Sequence, residues 1–186
     1  DEVVVLRGRP YGGFFRQQIV QPSLDEHSFF NVQINHLNDD IHGDIAIASS
    51  SPSQTVITVL DGDGAWNFDV REPLRQAFPS ISMSANDEDG DGYADITLID
   101  DVQGAVRRYT YSIEGWIGGF PSIIDPASFV ALSGAELGPS KDINGDGKDD
   151  ILIYDGEGST NQDLVFFTIS ETITKYTQEF LPYYST

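Results

Sequence analysis

The sequence predicts an all-β fold of tandem four-stranded antiparallel units, β-propeller-like in arrangement, with about three and a half units in the chain. Three observations predict it. Short runs of β-branched and aromatic residues, bounded by Gly, Asp, Asn and Pro, follow one another through most of the 186 residues. One run, an Asp followed by aliphatic residues, occurs three times at near-constant spacing. A Gly-rich turn ending in an aromatic occurs twice.

The strand signals fall at residues 3–6, 29–34, 44–49, 56–60, 95–99, 106–112, 150–154 and 164–169. Only residues 72–77 pass for a helical turn. The runs Asp44-Ile-Ala-Ile-Ala, Asp95-Ile-Thr-Leu-Ile and Asp150-Ile-Leu-Ile-Tyr are apolar on both faces or alternate weakly, as suits strands packed between neighbouring sheets. Their opening Asp residues lie 51 and 55 positions apart, a period typical of propellers, solenoids and arrays. Residues 6–14 and 60–66 both read as strand, Gly-rich turn, aromatic and next strand. The unit is therefore four strands, with an Asp-rich loop between the first two and the Gly turn between the last two. On that unit the chain divides into a half repeat at 1–24 and full repeats at 25–76, 77–126 and 127–186, in one continuous array.

Thirty acidic against ten basic residues give a formal net charge of −20. Nucleic acid and anionic membranes reward Lys and Arg, so neither is an expected partner. No stretch approaches the ~18 consecutive apolar residues of a membrane span, and no membrane insertion is expected. Such acidity implies self-repulsion that bound cations would relieve locally. Hydrophobic residues at 39% and aromatics at 11% argue against disorder. With no cysteine, neither disulfides nor thiolate zinc sites staple the fold. The sequence starts at Asp1 rather than Met, as expected of a secreted chain that has lost its signal peptide, or of a fragment.

Two segments share one grammar: Asp87-Glu-Asp89-Gly-Asp91-Gly-Tyr93-Ala-Asp95 and Asp142-Ile-Asn144-Gly-Asp146-Gly-Lys148-Asp-Asp150. Oxygen side chains occupy positions 1, 3, 5 and 9, and Gly positions 4 and 6. Calcium takes six to eight oxygens at about 2.3–2.6 Å, and a short loop supplies them only by wrapping the ion. The alternate side chains then point inward, the glycines take positive φ, and the carbonyl of Tyr93 or Lys148 adds a ligand. Asp/Asn/Gly clusters also make plain turns. Two copies with the same oxygen positions, each running into the same kind of strand, point instead to two structural calcium ions. Magnesium suits less well, since it keeps several waters and a stricter octahedron. An EF-hand would need Glu at position 12 and flanking helices, whereas position 12 is Leu98 or Ile153.

The first repeat carries a damaged copy, His36-Leu-Asn38-Asp-Asp40-Ile-His42-Gly-Asp44. His replaces the first Asp and Ile41 the second Gly. Neutral imidazole is a poor calcium ligand and Ile disfavours positive φ, so Asn38, Asp40 and Asp44 are expected to hold metal weakly or not at all.

At these loops and the strands after them the chain resembles the FG-GAP/VCBS repeats, calcium-binding β-propeller blades of the integrin α-subunit type, over residues 25–186. Gly-Asp-Gly-Ala-Trp at 62–66 adds to the resemblance, while the literal Phe-Gly and Gly-Ala-Pro signatures are missing. The resemblance implies four-stranded blades whose first hairpin is pinned by calcium at Asp87, Asp89, Asp91, the Tyr93 carbonyl and Asp95. It implies the same at Asp142, Asn144, Asp146, the Lys148 carbonyl and Asp150. In the family such blades form closed propellers used for adhesion, glycan binding or carrying an enzyme. Three and a half units fall short of the ~4–8 blades that close a ring. The expectation is therefore self-association, or docking against neighbouring blades, into an oligomer or filament.

No constellation for catalysis stands out: there is no Cys, three His and no nucleophile-elbow context for the Ser run at 49–53. The expected function is non-enzymatic, a calcium-stabilised extracellular structural or adhesive protein. The alternative is a lectin-like glycan-binding module, or a propeller fragment of a larger secreted protein or enzyme. A glycan or cell-surface protein is a possible partner. Trp66 and Trp116 offer sugar-stacking rings, although their places beside or within strands suit packing within or between units better.

Overall fold

Alternating apolar runs broken by Gly, Asp and Pro give fifteen β-strands and no helix among the described residues 2–20, 27–80, 82–100, 102–103, 105–112, 115–117, 135–154, 164–167 and 176–177 of the computed structural model. All pairing is antiparallel. β1 (Val3–Gly8) and β2 (Phe14–Val20) form a two-stranded sheet. In the second sheet β3 (Ser28–Asn35), β4 (Asp44–Ser51) and β5 (Gln54–Gly62) lie in chain order. The third is β8 (Met83–Asn86), β9 (Asp95–Asp100), β10 (Ala105–Ser112) and β11 (Gly115–Ile117). The fourth is β12 (Glu136–Leu137), β13 (Ile151–Tyr154), β14 (Leu164–Phe167) and β15 (Tyr176–Thr177).

The last strand of the second sheet is split. β6 (Phe68–Val70) pairs with the Leu60–Gly62 end of β5, and β7 (Leu74–Gln76) with its Thr55–Ile57 end. Pro73 stands between them, where a residue without an N–H cannot serve a ladder. The helical turn expected at 72–77 is thus a short strand. Leu74 packs on the core, and tertiary pairing outweighs the weak local preference.

The sheets stack face to face, with apolar residues on alternate positions serving alternate faces. On β4, Ala46 and Ala48 face the third sheet, while Ile45 and Ile47 face the first. The main core lies between the second and third sheets. There the small β4 residues and Ile57 and Val59 meet Met83, Ile96, Leu98, Tyr109 and Tyr111. Ile99 and Val106, on the far face of the third sheet, pack against Ala135, Ile151 and Ile153 of the fourth. Val3 and Val5 of β1 cover Ile45, Ile47 and Leu60. This sandwiching explains why the central strands lack clean polar alternation.

First strands lie beside first strands. Asn31 and Asn35 of β3 each donate a side-chain amide at 2.9 Å, to the Met83 and Ala85 carbonyls of β8. One unit on, the Leu137 amide of β12 donates to Ser82 Oγ at 2.7 Å. The described residues form no closed ring, and they contain no helix long and apolar enough to cross a membrane. Parts of the expected half repeat and of all three full repeats, residues 21–26, 113–114, 118–134 and 155–163 among them, lie outside the described residues.

Candidate metal centres

The segment from 87 to 95 links β8 to β9, and its Asp residues organise their own backbone. Asp87 accepts from the amides of Gly90 (2.8 Å), Asp91 (3.1 Å) and Gly92 (2.9 Å). Asp89 accepts from Asp91 (3.3 Å), and Asp91 from Tyr93 (2.9 Å). Gly90 and Gly92 take φ of 81° and 95°, the left-handed turn that the glycine spacing predicts. The wrap brings one oxygen each from Asp87, Asp89 and Asp91 within 4.8 Å of one another. That is twice a calcium–oxygen distance of about 2.4 Å. An ionised carboxylate has about four lone-pair sites, so these amide bonds leave room for a cation.

Asp95 stands outside that trio, on β9, and is 2% exposed. Its Oδ1 accepts from Thr110 Oγ1 at 2.6 Å, and its Oδ2 lies 3.6 Å from Arg108 Nη1 without any hydrogen bond. Burial pushes its carboxyl up to about 6, with the nearby Asp89 and Asp91 charges adding to the shift. An orphaned buried oxygen beside two loop carboxylates is a feature that a cation would satisfy. Glu88, the second loop residue, turns inward instead. It is fully buried against the Thr97 hydroxyl, its Oε2 is unpartnered, and burial raises it to about 8.

The segment from 142 to 150, between β12 and β13, repeats the scheme at its first, third and fifth positions. Asp142 accepts from Gly145 (2.6 Å), Asp146 (3.2 Å) and Gly147 (2.9 Å). Asn144 accepts from Asp146 (2.8 Å), and Asp146 from Lys148 (3.0 Å). Gly145 and Gly147 have φ of 81° and 86°. Asp150 accepts from the Ile143 and Asn144 amides at 2.8 and 3.3 Å. Its Asp142, Asp146 and Asp150 oxygens do not converge as the 87–91 trio does. Asn144 Nδ2 bridges Asp146 and Asp150, at 3.1 and 3.3 Å, in the place between them.

The first loop follows another path. Asp39 and Ile41, where the other loops have glycine, do not take positive φ. Asn38 still accepts from the Asp40 amide (2.8 Å), and Asp40 from His42 (2.6 Å). Asp40 and Asp44 converge with a residue the loop grammar does not contain, Asp61 of β5. Asp61 extends the Ile57, Val59 alternation on the face toward the third sheet. An acidic residue in that inward register is the sequence signal that marks it.

Both tryptophans are placed. Trp116 packs edge-on to Tyr111, with centroids 5.2 Å apart, and donates to the Glu72 carbonyl at 3.2 Å. Trp66 is 42% exposed at φ 70°, with the Arg7 guanidinium 5.4 Å from its ring centre. Of the two proposed stacking rings, Trp66 is the one presented to solvent.

No family model matches the chain, and no curated protein matches it. The acidic clusters at Asp87, Asp89 and Asp91, and at Asp40, Asp44 and Asp61, are groups that can hold a metal ion.

Proposed function

We propose that this chain is a calcium-stabilised, non-enzymatic repeat protein of the FG-GAP/VCBS type, working outside the cell as a structural or adhesive element. The observation that carries the reading is the shared wiring of the 87–95 and 142–150 loops: three amides on the first Asp, then side chain 3 to amide 5, and side chain 5 to amide 7. Each loop tops a hairpin between the first two strands of a sheet. A hard cation there neutralises clustered carboxylates and ties the two strands together, which is a fold-stabilising role. The face-to-face sheets with first strands side by side support propeller-like blades.

Self-association is the second part of the proposal. Leu6, Val32 and Ile34 are exposed and line a cleft of about 520 Å³ together with Val3, Val5, Trp66 and Phe68. Apolar surface of this kind suits a protein neighbour. The half-exposed Trp66 ring favours the second reading, a glycan-binding module. Native mass and electron microscopy, with and without a calcium chelator, test both parts. Calcium-dependent oligomers are expected, and a stable monomer that binds an oligosaccharide would replace assembly with glycan binding.

A further inference from the structure

The damaged first loop contains the most deeply buried acidic cluster among the described metal-capable groups. Asp44 is fully buried and Asp61 is 7% exposed. With Asp40 they place three carboxylates within 4.8 Å, against the single guanidinium of Arg71, which bonds Asp61 through Nε (2.6 Å) and Nη2. Asn38 Nδ2 donates to both Asp44 and Asp61. The Leu37 and Gly62 amides also donate to Asp44, at 3.0 and 2.9 Å, yet a single guanidinium faces three carboxylates. Burying unbalanced charge is costly. Asp44 is indeed pushed above the usual carboxylate range by burial, with Asp61 adding to it.

An independent observation comes from the neighbouring sheet. Tyr111 of β10 is 3% exposed, and its hydroxyl is buried without a hydrogen bond. The charges around that hydroxyl are Asp61, Arg71 and Asp44. Arg71 stands close enough to ease the hydroxyl's ionisation slightly, but outside hydrogen-bond geometry, with its Nε and Nη2 given to Asp61. Buried tyrosine hydroxyls ordinarily find a partner, so this one faces a place for a polar ligand.

We propose that Asp40, Asp44 and Asp61 form a further calcium site, rebuilt around a strand residue, with the Tyr111 hydroxyl bonded to a water on the ion. The all-oxygen donor set selects a hard cation. Calcium fits better than magnesium, which gives up its waters reluctantly in so enclosed a place. The site bridges two sheets, since its carboxylates come from the second and its tyrosine from the third. It stands independently of the two loops assigned above.

Calorimetric titration of the full chain with calcium chloride tests it. With the other loops disabled by Asp89→Ala and Asp146→Ala, one calcium per chain is expected to remain, and adding Asp61→Asn abolishes it. Tyr111→Phe, which keeps the ring packing, weakens that binding roughly fivefold, the worth of one ordinary hydrogen bond. In the unaltered background Asp61→Asn removes one calcium while circular dichroism stays native-like. If the disabled protein binds no calcium while the unaltered chain binds two, this site is overturned and the loop assignment stands. If the unaltered chain binds one calcium, and Asp61→Asn removes it, the reverse holds. Unchanged binding in both Asp61→Asn and Tyr111→Phe also overturns the site.

Discussion

The amide of Asp149 donates to the carbonyl of Asp87 at 2.7 Å, and one repeat earlier the amide of Ala94 donates to the carbonyl of His36 at the same 2.7 Å. In loop positions, residue 8 of each later loop bonds residue 1 of the loop before it. The same bond at both junctions means that consecutive repeats are related by nearly one operation. The loops therefore form a hydrogen-bonded ladder.

That contact gives a glycine contrast. Gly90 and Gly92 share positive φ, but only at Gly90 would a Cβ meet a neighbour, the Gly147 carbonyl oxygen at 3.2 Å. Left-handed backbone costs a non-glycine residue about 1–2 kcal/mol. Gly92→Ala is expected to lose about 1 kcal/mol and Gly90→Ala about 2 kcal/mol by urea denaturation. Equal losses would mean that the two loops do not touch.

Asp89→Ala and Asp146→Ala should each remove one calcium by titration while leaving the other loop competent. Each is expected to lower the melting temperature in calcium and change it little in chelator. A variant that loses stability equally in both conditions would show a packing role instead.

Asp100 is fully buried, accepts from Arg107 at 2.7 Å, and takes the Val102 and Gln103 amides on its other oxygen. Removing one partner of a buried pair strands the other charge. Arg107→Ala is expected to cost about 3 kcal/mol in chemical denaturation. Adding Asp100→Asn, which keeps the amide acceptor but drops the charge, should recover part of that loss. No recovery would place the cost in the stacking of the Arg107 guanidinium over Phe78.

In calcium-free protein the folded Glu88 carboxyl titrates near 8 rather than near its ordinary 4.5, because burial penalises its charged form. The folded state therefore holds a proton between those values that the unfolded chain has released, and stability falls as pH rises from about 5 to 8. Asp95, raised to about 6, adds to the same fall at its lower end. Glu88→Gln should flatten the slope and stabilise the calcium-free protein at pH 8 by on the order of 2 kcal/mol. A melting temperature that rises with pH over this window would contradict the assignment.

The core makes a simpler demand. Leu98 is fully buried between the second and third sheets. Leu98→Ala is expected to cost about 2–5 kcal/mol. A loss below 1 kcal/mol by denaturant titration would mean that the two sheets do not pack as described.

What was legible in the sequence was local. The Asp-Ile runs became β4, β9 and β13 because hydrophobics on both faces suit only strands sandwiched between sheets. The glycines at 90, 92, 145 and 147 took their turns because few other residues tolerate that φ. Short pairing strands such as β6, β7, β11 and β12 left little mark, since two or three residues carry no readable period. Asp61 is not legible as a candidate ligand because it comes from a strand seventeen residues beyond Asp44, and contacts closed by the sheet are invisible to loop grammar. Asp95 lies on β9 outside the trio of Asp87, Asp89 and Asp91, and its bond to Thr110 and contact with Arg108 depend on β10, which spacing along one loop does not place.

The central claim rests on calcium, and thermal unfolding with and without a chelator tests it most directly. The account predicts a clear drop in melting temperature on chelation, restored by calcium chloride, with at least two calcium ions per chain in a parallel calorimetric titration. Unchanged melting together with no heat of calcium binding would contradict it.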